Sequence, residues 1–513
     1  MFSRVYTGGV AGVDAYRIDV EVDCGGGMGQ IHIVGLPDTA VKESQERVRS
    51  AIKACEFLMP PGKKWIVNLA PADLRKEGPS FDLPIAIGIL SATGYVPIDR
   101  LGEFWMVGEL GLDGTVRGTQ GVLPVAMSCR EQGFTSIIVP DANCEEAELI
   151  EGLSIYPVSH LRQVLDILGA QKSKVRLSNA RAAFEQAQRI VPDAPDFADV
   201  KGQLSAKRAL MIAAAGRHNV LMVGAPGSGK SMLAQRLPGI MPPLEFDEAL
   251  ELTKLYSVVG LLAQKGGVVA ARPFRAPHHG ATVTGLVGGG SWPRPGEISL
   301  SHHGVLFLDE LTEFPRHHLD ALRQPMEAGV VTISRAHQTL SYPASFLMIG
   351  ACNPCPCGYR GDHLKFCICT GYQADRYWSR LSGPFLDRID LHIQCARLNE
   401  TELARHGGDM TSEEMRLRVM RAVDMQRQRS SDPFRFRHNG QLGARELRKV
   451  CDIDTSSREL LAKAVTQLGL SARAYDRVLR ISRTIADLES SEFIGTKHIA
   501  EALGYRSNRA LGR

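Results

Sequence analysis

Apolar and polar positions along this chain fall into three regimes. From Arg4 to about Gly169 two periods are mixed. Arg17-Ile18-Asp19-Val20-Glu21-Val22 alternates with period two and predicts a half-buried strand, while Val41 to Phe57 repeats at helical spacing and predicts an amphipathic helix. Ile137-Ile138-Val139-Pro140 predicts a short buried strand. Gln171 to Pro195 carries no sustained apolar pattern and runs into Val-Pro-Asp-Ala-Pro-Asp, which predicts a linker.

The second regime opens with a helix over Ala206 to Ala215, then the apolar strand Val220-Leu221-Met222-Val223, a glycine loop and a further helix, the start of an α/β unit. Gly304 to Leu308 and Phe346 to Gly350 supply two more apolar strands suited to a buried parallel sheet. From about Gly443 the third regime is helical throughout, with Ala474 to Leu488 its clearest amphipathic stretch. No internal repeat is present. The expected division is an α+β domain over 1–170, a linker over 171–197, an α/β core over 198–398 and an all-α lid over 399–513.

Composition narrows the setting. No segment of this 513-residue chain approaches the roughly 20 apolar residues of a membrane span. Met1-Phe2-Ser3-Arg4 runs at once into polar and glycine-containing sequence without an apolar signal segment, so the cytoplasm is expected. The net charge of +4 does not demand a nucleic-acid partner, although its distribution is uneven. Residues 401–513 hold 21 Lys and Arg against 15 Asp and Glu, whereas the rest holds 39 against 41, so the basic excess lies in the last fifth. Eleven cysteines in such a chain are expected to stay reduced, and five of them crowd between Cys352 and Cys369.

Gly224-Ala225-Pro226-Gly227-Ser228-Gly229-Lys230-Ser231 fits the phosphate-loop pattern at every fixed position, between a predicted strand and a predicted helix. Its glycines let backbone N–H groups curl around the β-phosphate of ATP, Lys230 neutralises β and γ oxygens, and Ser231 offers a hydroxyl to Mg²⁺. Some eighty residues on, a strand ends in Asp309 and Glu310, expected to hold the Mg²⁺ shell and to polarise the attacking water respectively. Asn353 follows another strand and can reach the γ-phosphate or that water. Arg388 is a candidate finger for a neighbouring subunit's ATP, and Arg473 a candidate reporter of nucleotide state from the lid.

Asp199 to Leu210, the phosphate loop, Val331-Thr-Ile-Ser-Arg-Ala336 and Phe385-Leu-Asp-Arg-Ile-Asp390 together resemble the magnesium-chelatase and MCM-helicase branch of the AAA+ ATPases. Phe274-Arg-Ala-Pro-His-His-Gly-Ala281 and Cys352-Asn-Pro-Cys-Pro-Cys-Gly358 extend the likeness to the ComM/YifB family over nearly the whole chain. The resemblance implies an AAA+ core, Asn353 as the sensor on its strand, Arg388 as the finger, Arg473 as the lid sensor, and a homo-oligomeric ring, usually a hexamer. Val330 to Tyr342 is expected to form a hairpin around Arg335 and His337, which in the resembling helicases points into the pore and grips DNA. The chelatase subunit shares that hairpin and remodels protein instead. Thr282 to Gly296, around Trp292, resembles a second pore insertion.

Lys76 to Asp82, Trp105 to Arg117 and Gly133 to Pro140 resemble the proteolytic domain of Lon, with Ser80 at the nucleophile's place. Aligning Gly121 to Ala126 with the helix that carries Lon's base puts Pro124 where the lysine belongs. Proline cannot accept a proton, so the domain is expected to be protease-inactive.

Within the cysteine cluster, Cys355, Cys357, Cys367 and Cys369 offer two close pairs suited to tetrahedral Zn²⁺, while Cys352 sits at the sensor strand's end as a non-ligand. Cys352 or His363 in place of one ligand, and an iron–sulfur cluster in place of zinc, stay open. Pairs of adjacent histidines at 278–279, 302–303 and 317–318 are expected to diverge and to bind hydrogen-bond partners rather than metal. The expected function is ATP-driven translocation on DNA, branch migration of recombination intermediates in natural transformation. The alternative is chelatase-like remodelling of a protein partner.

Overall fold

The computed structural model describes residues 2–27, 29–171, 174–189, 195–262, 267–290, 293–335, 338–398, 410–430, 436–468 and 471–506. It separates into two compact units, one holding 1–191, 245–271 and 336–340, the other 192–244, 272–335 and 341–513. Among the described residues no helix is long and apolar enough to cross a membrane.

The first unit is built on an eight-stranded mixed sheet. In chain order the strands are β1 (Phe2–Ala11), β2 (Asp14–Gly26), β3 (Ile31–Val34), β4 (Lys63–Ala70) and β5 (Phe104–Met106). The short ribbon β6 (Glu109–Leu110) and β7 (Val116–Arg117) stands apart, followed by β8 (Ser136–Pro140), β9 (Ser154–Val158) and β10 (Arg176–Leu177). Sheet order is β10-β9-β8-β5-β1-β2-β4-β3. The alternation at Arg17 to Val22 works as expected: Ile18, Val20 and Val22 are fully buried on β2 while the charged positions between them are not. Asp82–Ala92 is buried on every side, and its near-uniform apolarity is that of a core helix rather than a surface one.

Two parts of this unit differ from the sequence-based expectation. The stretch expected as a linker contains the helix Ala180–Arg189, whose buried Ala180 and Phe184 make a one-residue-wide stripe too narrow to register as a period. Phe184 meets Phe246 edge-on at 5.7 Å, because the helix Phe246–Val258, from the middle of the expected ATPase core, packs in this unit.

The second unit carries a five-stranded, all-parallel sheet in the order β12-β15-β18-β11-β19. Its strands are β11 (Val220–Gly224), β12 (Phe274–Arg275), β15 (Val305–Leu308), β18 (Leu347–Cys352) and β19 (Leu391–Cys395), with the ribbons β13 (Gly288–Gly289) to β14 (Arg294–Pro295) and β16 (Val330–Arg335) to β17 (Gln338–Pro343) inserted. The central strands are apolar without alternation, as burial on both faces requires. The helices Ser412–Arg429, Ala472–Leu488 and Thr496–Gly504 share one apolar core with this sheet: Val419, Val478, Ile485 and Ile499 cluster with Val220, Ile349 and Leu391. Inside those helices Asp487, wholly buried, accepts from Arg429, from Arg483 Nε at 3.1 Å and from Asn439 Nδ2 at 2.8 Å.

Candidate functional site

The residues expected to form the nucleotide site follow the carboxyl ends of β11, β15 and β18, the edge at which an open parallel sheet binds ligands. A Cβ at Gly224 would lie 2.4 Å from the Cys395 carbonyl oxygen, so only glycine lets the end of β11 lie against β19. Gly227 and Gly229 have φ of 78° and 85°, a region costly for other residues, and bend the loop into the helix Lys230–Ile240. The free N–H groups of that helix start are a ready anion site. Lys230 Nζ donates to the Gly224 and Ala225 carbonyls at 2.7 and 3.0 Å and stands 3.5 Å from Asn353 Oδ1. Burial pulls its ammonium below the usual lysine range, opposed by nearby Cys395, Cys352 and Asp309.

Asp309 closes the loop from the other side. Its Oδ2 accepts from Ser231 Oγ at 2.9 Å, and its Oδ1 from the Glu310 N–H at 2.9 Å. These two oxygen ligands are thus already adjacent, which suits a hard cation that binds one hydroxyl and one carboxylate beside phosphate oxygens. Glu310 takes a left-handed backbone (φ 49°), a conformation a glutamate adopts only at some cost, found preferentially at functional sites. Its Oε2 lies 3.4 Å from Nδ1 of His279, which arrives on the segment after β12, parallel to β15. Arg275 and Glu297 anchor that segment with two 2.6 Å hydrogen bonds. Lys230, Ser231, Asp309, Glu310 and Asn353 border one cavity of about 970 Å³.

The two arginines lie elsewhere. Arg388 and Arg473 line a second concavity of about 570 Å³ together with Arg477 and Arg480, and neither borders the cavity at Lys230. Arg388 is 9% exposed; its guanidinium meets Glu327 Oε1 and the Pro384 carbonyl at 2.6 Å each. Arg473 is exposed near the start of Ala472–Leu488. Asp390 underpins the basin, bonded by the Asn219 N–H at 3.1 Å and facing Arg477 at 3.3 Å. Burial would raise its pKa, but His218, Arg477 and that N–H hold its carboxyl below the usual range.

Cys355, Cys357, Cys367 and Cys369 converge with their sulfurs all within 4.8 Å of one another, and neither Cys352 nor His363 joins them. Three of the separations are 3.3, 3.6 and 3.6 Å. A tetrahedron of thiolates about 2.3 Å from a central Zn²⁺ has edges of about 3.8 Å, so the set fits that ion and is too open for disulfides. Although burial raises its pKa, N–H groups of Tyr359 and Ile368 and the neighbouring thiols bring Cys357 down to about 6, favouring the ligating thiolate. Cys352 is buried in β18 with its thiol pushed up to about 12.

β16 and β17 form the hairpin expected around Arg335. Arg335 Nη2 would lie 3.3 Å from a Cβ on Gly289, so its guanidinium sits against β13, and Tyr342 on β17 donates to the Pro293 carbonyl. The two insertions therefore meet. His337 and Trp292 lie outside the described residues.

In the first unit Ser80 lies in the turn Pro79–Phe81 and Pro124 in the first turn of Val122–Glu131. Lys76, four residues before Ser80, is buried and donates to the Leu74 carbonyl at 2.6 Å and to that of Pro71.

The adjacent histidines do not diverge: their rings lie 4.0, 3.8 and 4.4 Å apart at 278–279, 302–303 and 317–318. The first two pairs sit in turns, where the regular geometry behind that expectation does not hold. His279 is the site residue that sequence reasoning missed in its role, since nothing local joins it to Glu310. Arg376 and Arg380 also border the cavity at Lys230, which no local pattern in the sequence indicates.

Known proteins match this chain along its length. The family profile described as magnesium chelatase, subunit ChlI, matches residues 196–403; subunit ChlI of Mg-chelatase matches 20–143, and the ChlI C-terminal profile 409–506. The competence protein ComM of Haemophilus influenzae is 43% identical over 505 residues, covering 98% of this chain and 97% of that protein. The uncharacterized protein YifB of Escherichia coli is 42% identical over 512 residues, covering 98% and 97%. A Lon protease of Brevibacillus choshinensis is 32% identical over 159 residues, 29% of this chain and 20% of its own. Mixed α/β architecture, a phosphate loop on a parallel sheet and near-complete coverage agree: this chain belongs to the ComM/YifB family of magnesium-chelatase-like AAA+ ATPases.

Proposed function

We propose that the chain hydrolyses ATP as one subunit of a cytoplasmic hexameric ring that translocates on DNA and drives branch migration of recombination intermediates in natural transformation. One observation carries the ring: Arg388 and Arg473 share a basin that is separate from their own chain's nucleotide cavity. An arginine so placed acts on the ATP of a neighbour or not at all. The DNA assignment is supported by the likeness to a competence protein over 98% of the chain and by a hairpin that presents Arg335.

In this reading Lys230 leaves the loop carbonyls for the β and γ oxygens, and the loop N–H groups cradle the β-phosphate. Ser231 and Asp309 hold Mg²⁺, which when bound neutralises and aligns the phosphate oxygens. Glu310 leaves His279 and takes a proton from the attacking water, while Asn353 orients that water. The neighbour's Arg388 offsets charge on the equatorial oxygens, an effect of roughly 10³-fold or more in related hydrolases. Arg335, with His337, holds the phosphate backbone in the pore. Cys355, Cys357, Cys367 and Cys369 hold a structural Zn²⁺; one zinc per colourless chain is expected, and a brown, sulfide-bearing preparation would assign iron instead. The first unit assembles or contacts DNA and does not cleave peptides, because Pro124 stands where Ser80 needs a base.

ATPase rates with and without single-stranded DNA, extended to displacement on three- and four-stranded junctions, test the reading, with Lys230→Ala and Arg388→Ala as controls. Stimulation with strand movement is expected. Hydrolysis that ignores DNA and moves no strand would instead favour remodelling of a protein partner, a reading supported by the chelatase profiles matching all three regions.

A further inference from the structure

The cysteine cluster carries an outward face that zinc binding leaves unexplained. Leu364, Phe366, Ile368 and Tyr372 are 63%, 96%, 86% and 74% exposed. Residues 366–370 run without helix or strand hydrogen bonding. Along this stretch the sulfurs of Cys367 and Cys369 join the cysteine cluster while the side chains of Phe366 and Ile368 between and before them stand in solvent. Four large apolar side chains crowded into nine residues exceed the scattered exposure of an ordinary surface and mark a contact.

The occupant is identified by what lies beside them. Ile368, Cys369 and Cys357 form part of the wall of the nucleotide cavity that also holds Lys230, Asp309 and Glu310. Arg388, the expected finger, lines the other basin and not this cavity, which its own chain borders instead with Arg376 and with Arg380, the latter held by Glu313 at 3.0 Å. Any copy that brings Arg388 to the γ-phosphate must therefore set the surface around it against this wall. We infer that the exposed face at Phe366 and Ile368 is the subunit contact that seats a second copy of this chain over the nucleotide, with the four-cysteine cluster acting as the rigid base of that contact. This rests on the ring ATPase proposed above.

The experiment compares wild type with Phe366→Ser/Ile368→Ser by sedimentation velocity across protein concentration with a non-hydrolysable ATP analogue, alongside zinc content and ATPase rate. The variant is expected to keep one zinc per chain, to need at least tenfold more protein to assemble, and to lose ATPase in proportion. Hydrogen exchange on the wild type supplies a readout that no folding defect can imitate: amides of 362–370 should gain protection only at concentrations where rings form. Wild type that never assembles with the analogue would sink the ring itself. A wild type that assembles while the variant assembles and hydrolyses equally well, or while 362–370 stays unprotected, would overturn only the contact. So would a variant that assembles normally but loses stimulation by DNA, since the face would then belong to the strand.

Discussion

Nδ1 of His279 stands 3.4 Å from Oε2 of Glu310, across the ends of two neighbouring parallel strands. The contact ties Glu310, the proposed base for water, to a segment that continues directly into the glycine-rich insertion beside which Arg335 sits. Movement of that insertion on a bound strand would pull His279 and release the carboxylate. In the proposed function, hydrolysis and strand contact would be linked through this one side chain. His279→Ala should raise the unstimulated ATPase rate about three- to tenfold, the scale of losing one ordinary hydrogen bond, and should shrink the stimulation by DNA. A rate unchanged in both conditions would remove His279 from the mechanism.

Glu310→Gln should separate binding from hydrolysis. Fluorescent-nucleotide titration is expected to show ATP affinity within about threefold of wild type, while turnover falls by about 100-fold or more because the polarising carboxylate is gone. Lys230→Ala should instead weaken binding itself. Equal loss of affinity in both variants would contradict the separate roles.

The nucleotide site was legible because its determinants are local. Gly224 to Ser231 encode their own backbone, and the runs at Val220, Gly304 and Phe346 are short, apolar and flanked by turns, so strand ends and their functional residues could be read together. The cysteine set was legible from spacing for the same reason. What escaped depends on contacts between distant positions. His279 and Glu310 are joined only by sheet order, and Phe246–Val258 looks like any amphipathic helix until its partner Phe184 is known.

Asp487 ties the helical region together from inside. Its carboxylate has no exposure and faces Arg429 and Arg483, the latter 1% exposed. Asp487→Ala would strand buried guanidinium groups without a countercharge, a defect worth roughly 3–5 kcal/mol. Thermal unfolding should move down by several degrees, with a corresponding fall in the urea midpoint. A variant as stable as wild type would show that solvent reaches the arginines.

His392 on β19 sets an acid limit. Burial, with the Arg506 and Arg477 cations beside it and against the pull of Asp390, lowers its pKa from the usual 6.5 to about 4. The folded chain thus keeps the ring neutral where the unfolded chain protonates it. The unfolded state binds the extra proton, so stability falls as pH drops from about 6.5 to about 4. Urea midpoints at pH 7.5 and 5 should differ for wild type, and the difference should shrink in His392→Phe. An identical pH slope in the two proteins would exclude His392 as the source.

Mixing two inactive subunits tests the shared site most directly. Lys230→Ala keeps Arg388 but cannot handle ATP, and Arg388→Ala keeps its phosphate loop but lacks the finger. Each alone should hydrolyse ATP at a background rate. An equimolar mixture, assembled at random in one ring, should recover about a quarter of the wild-type rate, the share of interfaces that pair an intact loop with an intact finger. A mixture no more active than its components, although both enter the same rings, would contradict a site completed by the neighbouring subunit.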